Sequence, residues 1–561
     1  MKPQIALLLP LLLLSPALAL QPGETPPPVP GDEHFRVETL AEGLSDAMEI
    51  AVAPDGSVFI VERTGGVKLW EPQAKNAREI ARIAVEVRQD SHARECGLLG
   101  ITLDPGYADN RWLYLFYSVP DQSFQRLSRF TFDGQGLVDE RVMLQFSHDR
   151  EKGVCHEAGS LTFGPDGNLY LSTGDNTCPF ESNGYGPIDE REGRKEFDAQ
   201  RSAANTNDLR GKVLRIRPTA DGLYSIPEGN LFPAGTPSTR PEIYAMGCRN
   251  PFRISVDSRN GRLFWGEVGP DAGADSERGP SGYDEINMAS GPGYFGWPYF
   301  VADNKAYADF DFAKGEVGEF FDPLQPVNDS PNNTGQKQLP PATPPLWHYP
   351  RASACAGPVY YHDDYPDAPG KMPKALDEAL MIYDWTSAWF RLLWIDEDGN
   401  LVANEPWLSR HLFIHPVDLE MGPQGEVFLL EYGSPWYDGS DGRLRRVTYT
   451  EEPVELAVGQ ADPRMKGLDP AHPGTGLLSK TTCLACHMTE QKSIGPKYTD
   501  VAKKYAQDPE ARDRLAQKIL EGGVGAWGPV PMPPHPQHNI EETQQMVDAI
   551  LKLAKPAEPK E

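Results

Sequence analysis

Pro165-Asp166-Gly167-Asn168-Leu169-Tyr170-Leu171 joins two signals: a turn whose proline presets φ and whose glycine tolerates the left-handed region, and an apolar, aromatic run suited to a half-buried strand. The pairing recurs along the chain. Pro54-Asp55-Gly56 precedes Val58-Phe59-Ile60-Val61, Asp104-Pro105-Gly106 precedes Trp112-Leu113-Tyr114-Leu115-Phe116-Tyr117, and Asn260-Gly261 precedes Leu263-Phe264-Trp265. Asp398-Gly399 before Leu401-Val402 and Pro423-Gln424-Gly425 before Val427-Phe428-Leu429-Leu430 complete the series. Imperfect copies of one hairpin, repeated at intervals of tens of residues, mark a radial sheet architecture in which each blade covers its faces with its neighbours. The sequence therefore predicts a mainly β fold, a six-bladed β-propeller over residues 34–449. The uneven spacing requires long insertions between blades, which the Pro- and Asn-rich stretches 177–208 and 321–345 supply. A large β-sandwich is the competing reading, since it too alternates turns and strands.

The whole chain has 561 residues, 39% of them hydrophobic and 10% aromatic, enough for a large core plus a second small one. Its net charge of −28 repels phosphate backbones and excludes nucleic acid as a partner. The acidity is uneven: residues 474–561 hold 11 basic and 11 acidic side chains, so the excess lies in the first 473. At the start, Lys2 precedes the apolar run Ile5 to Leu14, and Ala17-Leu18-Ala19 places small residues at a cleavage site. This reads as a secretory signal over residues 1–19, cut after Ala19, and not as a membrane span. A periplasmic or secreted protein is expected, with an extended Pro-rich leader over 20–33.

Residues 450–475 are polar, with four prolines and little periodicity, and read as a linker. Beyond them, over 476–556, the pattern turns helical. Asp508 and Pro509 start one helix that Gly522-Gly523 stops, and Asn539 with Glu542 forms a capping box before Met546, Val547, Ile550 and Leu551. Inside this segment stands Cys483-Leu484-Ala485-Cys486-His487. Two thiols three positions apart can add to the two vinyl groups of one haem, and the next imidazole then ligates the iron. Zinc would need further Cys or His ligands at matching spacing, and no Cys follows Cys486. The second axial ligand is assigned to Met532, in a loop stiffened by Pro531 and Pro533. Met488, Met546, His535 and His538 are its rivals. The segment resembles the small bacterial class I cytochromes c through Cys483 to His487, Ile494-Gly495-Pro496 and Pro531-Met532-Pro533-Pro534, a resemblance that implies haem c and single-electron transfer.

In the propeller, His156 lies just before one predicted strand and Asp175 just after its partner, so one hairpin can bring them together. A histidine oriented by a carboxylate is a general base for a hydroxyl proton. A buried histidine merely satisfied by an aspartate is the bland alternative. Residues 35–448 resemble the soluble quinoprotein glucose dehydrogenases and the wider glucose/sorbosone dehydrogenase family. The resemblance rests on Glu95-Cys96-Gly97-Leu98-Leu99-Gly100, His156 to Leu161, Thr173-Gly174-Asp175, Leu209-Arg210-Gly211-Lys212, Gly247-Cys248-Arg249-Asn250-Pro251, Gly269-Pro270, Asp284-Glu285-Ile286-Asn287 and Phe295-Gly296-Trp297-Pro298. It implies a six-bladed propeller oxidising sugars with pyrroloquinoline quinone (PQQ) and calcium. His156 then corresponds to the base and Asp175 to its support, Glu95, Arg249 and Asn250 to quinone contacts, and the carbonyls of Gly269 and Pro270 to calcium ligands.

The chain also departs from the glucose enzymes. Where they place a cofactor-gripping Lys it reads Asp384-Trp385-Thr386, where they place two Arg it reads His415-Pro416-Val417, and Glu95 stands in place of Gln. Losing three cations weakens the hold on a tricarboxylate and leaves PQQ dependence open. Arg351, Arg391 or Arg253 are possible substitutes, and Trp385 or Trp389 are candidates to stack on a ring or to fill blade cores. The Asp- and Asn-rich stretch 189–208 is either a second cation site or a loop of internal turns. A disulfide between two of Cys96, Cys155 and Cys248 is expected. Two functions remain open at this level: an exported dehydrogenase of a sugar or alcohol that feeds a soluble or membrane-bound electron acceptor through its own haem, and a carbohydrate-binding propeller carrying a cytochrome.

Overall fold

The computed structural model describes residues 26–87, 95–150, 155–434, 439–456, 463–479, 481, 483–490, 495–523, 526, 527, 532, 535 and 538–554. The signal segment lies outside them, as do part of the linker and the prolines flanking Met532. Six sheets follow one another along the chain, each starting from an innermost strand: Ala47–Val52, Leu98–Leu103, Ala158–Phe163, Pro251–Val256, Ala354–Val359 and Pro416–Met421. Each innermost strand packs against that of the next sheet, and the last against the first, so the ring is closed. The expected six-bladed propeller is present.

The second strand of each blade is buried on both faces. Val58–Glu62, Leu169–Thr173, Leu263–Glu267, Leu380–Asp384 and Val427–Glu431 contain no exposed position. Their β-branched and aromatic residues therefore form continuous runs, where a sheet wetted on one face would alternate. Outer strands such as Leu137–Ser147 carry the exposed charges. Closure is by the N-terminal strand Phe35–Leu44, which pairs antiparallel with Gly442–Tyr449 in the sixth blade, Phe35 facing Tyr449 and Val37 facing Val447.

Five of the six turn copies join the first and second strands of their blades. The sixth, Asp398-Gly399, does not: it joins Phe390–Ile395 to Leu401–Trp407, the two outer strands of the fifth blade. The expected inter-blade insertions also need correction. Residues 174–211 connect the second and third strands of the third blade, and 290–346 connect the third and fourth strands of the fourth, so both lie within blades. A loop grown there rises from one end of the propeller without prying neighbouring blades apart.

A buried ionic knot links the innermost strands. Arg253 Nε donates to Val417 O at 2.8 Å and its Nη2 donates to Met48 O, while Asp418 Oδ2 accepts Ile50 N at 2.7 Å and Glu49 Oε2 accepts Ile101 N at 2.6 Å. Innermost strands of four blades are thereby tied across the axis, which satisfies charges that would otherwise be costly to bury.

The C-terminal part is all helical: Pro473–Leu478, Cys483–Cys486, Tyr498–Tyr505, Ala511–Glu521 and Ile540–Leu551. Leu478, Leu484, Tyr498, Ala516, Ile519, Met546, Val547 and Ile550 form its own core. The capping box is present as expected, Asn539 and Glu542 each satisfying the other's backbone N–H. The Asp508 start is displaced: Asp508 Oδ1 caps Glu510 N at 3.0 Å, and the helix begins at Ala511. It ends at Gly522, whose φ is +67°. Among the described residues no helix is long and apolar enough to cross a membrane.

Candidate functional site

The site grows from the entrance to the third blade's first strand. His156 has φ +72° and Ala158 φ +47°, conformations that cost a non-glycine residue about 1–3 kcal/mol and persist only where surroundings impose them. Those surroundings are visible. Glu95 Oε2 accepts the backbone N–H of His156 at 2.8 Å and of Glu157 at 3.2 Å, and Asn250 Oδ1 accepts that of Ala158 at 3.0 Å. Gly174 lies against the same kink, where an added Cβ would sit 2.0 Å from His156 O. Only glycine lets the hairpin close there.

The kink presents the imidazole to Asp175. His156 Nδ1 is 2.6 Å from Asp175 Oδ1, both side chains being buried. Asp175 is saturated by Trp297 Nε1, which donates to Oδ2 at 2.7 Å, and by Thr177 N, which donates to Oδ1 at 3.0 Å. An acceptor carboxylate fixed in this way holds the proton on Nδ1 and leaves Nε2 as the basic nitrogen. Burial raises Glu95 above the ordinary carboxylate range, against the lowering influence of His156.

Arg249 and Asn250 stand beside this pair, their backbone N–H groups both donating to Glu267 Oε1, Arg249 at 3.0 Å. Burial pushes Glu267 up to about 8. The guanidinium of Arg249 donates to Val268 O at 2.9 Å and to Asp271 Oδ2 at 3.2 Å, and Arg351 donates to Asp271 Oδ1 at 2.7 Å. Against partial desolvation of its carboxylate, which stays 44% exposed, Arg249 and then Arg351 hold Asp271 below the usual carboxylate range. Two cations thus bracket one carboxylate, in the turn that contains Gly269 and Pro270. Gly269 N is anchored on Asp284 Oδ1 at 3.1 Å, and burial, with Asp384 adding to it, pushes Asp284 up to about 7.

The structure brings together His156, Asp175, Glu95, Arg249, Asn250 and the Gly269-Pro270 turn. Of the proposed substitute cations only Arg351 belongs with them. Arg253 is committed to the axial knot, and Arg391 donates to Asn404 at the blade edge. Asp384, in the Asp384-Trp385-Thr386 segment that stands where the glucose enzymes carry a Lys, ties the fifth blade to the fourth, its Oδ2 accepting Tyr349 OH from the fourth blade and Ser353 N from its own at 2.8 Å each. Trp385 is buried and stacks on His415 with centroids 4.2 Å apart, and Trp389 packs on Tyr349, so both are blade packing. The carboxylates of the 189–208 stretch are engaged by side chains of the protein: Asp189 pairs with Arg191 and Arg194, Asp208 with Arg210, and Asp198 accepts from Ser330 and Asn332 of the fourth blade's insertion. Cys96 and Cys248 are free thiols, and since any pair among the three would use one of them, the expected disulfide is overturned; Cys96 Sγ is directed to Glu157 instead.

Sequence reasoning missed Asp271 and Glu267 and gave Trp297 no role. A carboxylate that ends the buried strand Leu263–Glu267 breaks the apolar pattern, and that anomaly was the available signal. A tricarboxylated quinone with a divalent cation asks for guanidiniums, hard oxygen donors and a nearby base. Arg249 and Arg351, the Gly269-Pro270 turn with Asp271, and His156 fit that set, with fewer cations than the glucose enzymes carry.

In the helical domain, His487 donates Nδ1–H to Pro496 O at 2.8 Å and stacks on Tyr498, which leaves Nε2 as the nitrogen able to ligate a metal. Gly495 is required, since a Cβ there would meet the imidazole at 2.3 Å. Cys483 is buried; Cys486 closes the same helix, and its side chain lies outside the described residues. Met532 is anchored by a reciprocal backbone pair with Gly523, at 2.8 and 3.0 Å, and packs on the helical core. Its rival Met546 is fully buried within that core. Burial, then the charges of Arg351 and His538, push His535 down to about 4.

Comparisons with known proteins agree. Residues 471–553 match the cytochrome c family, and 77 residues are 46% identical to cytochrome c-551 of Allochromatium vinosum, spanning 14% of this chain and 82% of that one. Over 332 residues the chain is 25% identical to quinoprotein glucose dehydrogenase B of Acinetobacter calcoaceticus, covering 55% of this chain and 64% of that protein. The PQQ-bound aldose sugar dehydrogenase of Streptomyces coelicolor shares the fold, with a TM-score of 0.50 and 18% identity over 76% of this chain and all of that one. Residues 44–434 match the glucose/sorbosone dehydrogenase family, and with most of its length inside that match the chain belongs to this family, as a quinoprotein-type dehydrogenase extended by a cytochrome c domain.

Proposed function

We propose that the protein is an exported oxidoreductase that oxidises a hydroxyl of a sugar or related alcohol at His156 and passes the electrons to its own haem c. The observation that carries this reading is the His156–Asp175–Trp297 chain, a base oriented on one nitrogen and set beside two guanidiniums, in a protein that also bears a Cys-x-x-Cys-His domain. His156 Nε2 accepts the substrate hydroxyl proton while Asp175 stabilises the imidazolium that forms. Arg249 and Arg351 hold the carboxylates of an anionic acceptor, and Glu95 and Asn250 keep the base's backbone in its kinked form. The Gly269 and Pro270 carbonyls would hold calcium beside PQQ, and PQQ when bound would supply the two-electron acceptor for the oxidation. Cys483, Cys486, His487 and Met532 would hold the haem, and haem c would supply the one-electron step outward to a soluble or membrane-bound acceptor. Residues 1–19, removed after Ala19, direct the chain to the periplasm or beyond.

Reconstituting the purified protein with PQQ and calcium and adding a panel of aldoses tests this. Haem reduction in the visible spectrum is expected with wild type and absent in His156→Ala. A protein that binds sugar without reducing its haem would leave only the binding role.

A further inference from the structure

One position along the chain from Glu95, His156 and Asp175 stand Cys96, Glu157 and Asn176, and with His148 they form a second polar cluster that the mechanism does not use. Cys96, His148 and Glu157 are each no more than 2% exposed, and one ligand atom from each lies within 4.8 Å of the other two. Glu157 Oε2 is 2.7 Å from His148 Nε2, and Oε1 is 3.4 Å from Cys96 Sγ. Gln125 Nε2 donates to Oε2 at 2.6 Å and fixes the carboxylate.

Asn176 decides how the imidazole can be used. Its Oδ1 accepts Asp149 N at 2.7 Å and Arg210 Nη1 at 3.1 Å, so the amide is fixed with Nδ2 toward His148, where it lies 2.8 Å from Nε2 and 2.9 Å from Asp149 O. An Nε2 that faces an N–H donor presents its lone pair, and a lone pair 2.7 Å from a carboxylate oxygen calls for a positive centre between them. The other ring nitrogen, Nδ1, has no hydrogen-bond partner among the described residues.

We propose that Cys96, His148 and Glu157 bind one zinc ion. A thiolate, an imidazole and a carboxylate form the mixed three-residue set that Zn²⁺ takes with a water in its fourth position, whereas a sulfur ligand disfavours calcium and magnesium. Bond lengths of about 2.0–2.3 Å require His148 and Glu157 to separate by about half an ångström from their 2.7 Å contact and Cys96 Sγ to close on the imidazole from within 4.8 Å. The ion fastens the entry to the second blade's Leu98–Leu103 strand, the end of its outer strand Leu137–Ser147, and the entry to the third blade's Ala158–Phe163 strand. It thereby braces the two neighbours of the catalytic kink from behind. Gln125 is the outer partner that orients the carboxylate.

The test is metal analysis of the full-length holoprotein from zinc-replete medium, with haem iron as the internal count of chains. The expected result is about one zinc per iron, with X-ray absorption at the zinc edge showing one sulfur at about 2.3 Å and lighter ligands at about 2.0–2.1 Å. Cys96→Ser should lose the sulfur scatterer and lower zinc retention about tenfold or more, its fold checked by a β-rich far-UV circular dichroism spectrum and a cooperative propeller transition in calorimetry. Added ZnCl₂ should raise Tm in chelator-treated wild type and not in Cys96→Ser. Purified wild type without stoichiometric zinc, another metal in its place, or a Cys96→Ser protein that keeps zinc and its sulfur ligand would each overturn the assignment. Wild-type stoichiometry alone decides if the variant fails to fold.

Discussion

Removing Asp175's partners one at a time should separate orientation from basicity at the His156 site. Trp297→Phe keeps the ring and deletes one hydrogen bond to a buried carboxylate, worth about 1.5–3 kcal/mol. We expect kcat for substrate-driven haem reduction to fall about ten- to a hundredfold, with KM little changed. Asp175→Asn removes the charge that stabilises the imidazolium, and a loss of about 10²–10⁴ is expected. Gly174→Ala drives a Cβ to within 2.0 Å of His156 O; a fall in Tm together with lost activity is the expected outcome, readable by calorimetry and haem-reduction assay. The His156–Asp175 pair was legible in the sequence because both flank one hairpin. Asp271 was not, because its importance comes from Arg351, which reaches it from 80 residues away in the chain.

Elements act here through the carboxylates that end their strands. Glu267 closes the strand Leu263–Glu267 and gathers the N–H groups of Arg249 and Asn250, and burial raises it to about 8. Because its folded pKa exceeds the value of about 4.3 expected in the unfolded chain, the folded state binds the extra proton. Its contribution is complete below that value and is lost as pH rises through about 8. Glu267→Gln, which preserves an acceptor oxygen, should therefore flatten the pH dependence of stability, gaining on wild type at pH 9 relative to pH 5 in denaturant titrations. Hairpins were the most legible elements, since a Pro-Asp-Gly turn and the strand after it are local signals. The placement of Asp398-Gly399 misled for the same reason: a turn is visible in sequence, but its radial position within a blade is set by pairing partners far along the chain. Trp385 and Trp389 were ambiguous because stacking on a cofactor and packing in a blade demand the same side chain.

At the scale of the molecule, ring closure rests on Phe35–Leu44 pairing with Gly442–Tyr449. A chain lacking residues 35–44 should lose cooperative unfolding of the propeller and expose an unpaired edge that promotes association, while the helical domain, with its separate core, keeps its haem spectrum; calorimetry and light scattering check this. The two-body organisation was readable because composition changes from acidic, strand-rich sequence to charge-balanced, helix-patterned sequence. The blade insertions were not, since a loop's length gives no sign of which two strands it connects. The central claim is that oxidation at His156 and haem reduction occur within one molecule. The most direct measurement is anaerobic stopped-flow reduction of the haem by substrate in the quinone- and calcium-loaded protein at varied protein concentration. The account predicts a first-order rate constant independent of protein concentration and lost in His156→Ala; a rate that scales with protein concentration, or a haem that stays oxidised, would contradict it.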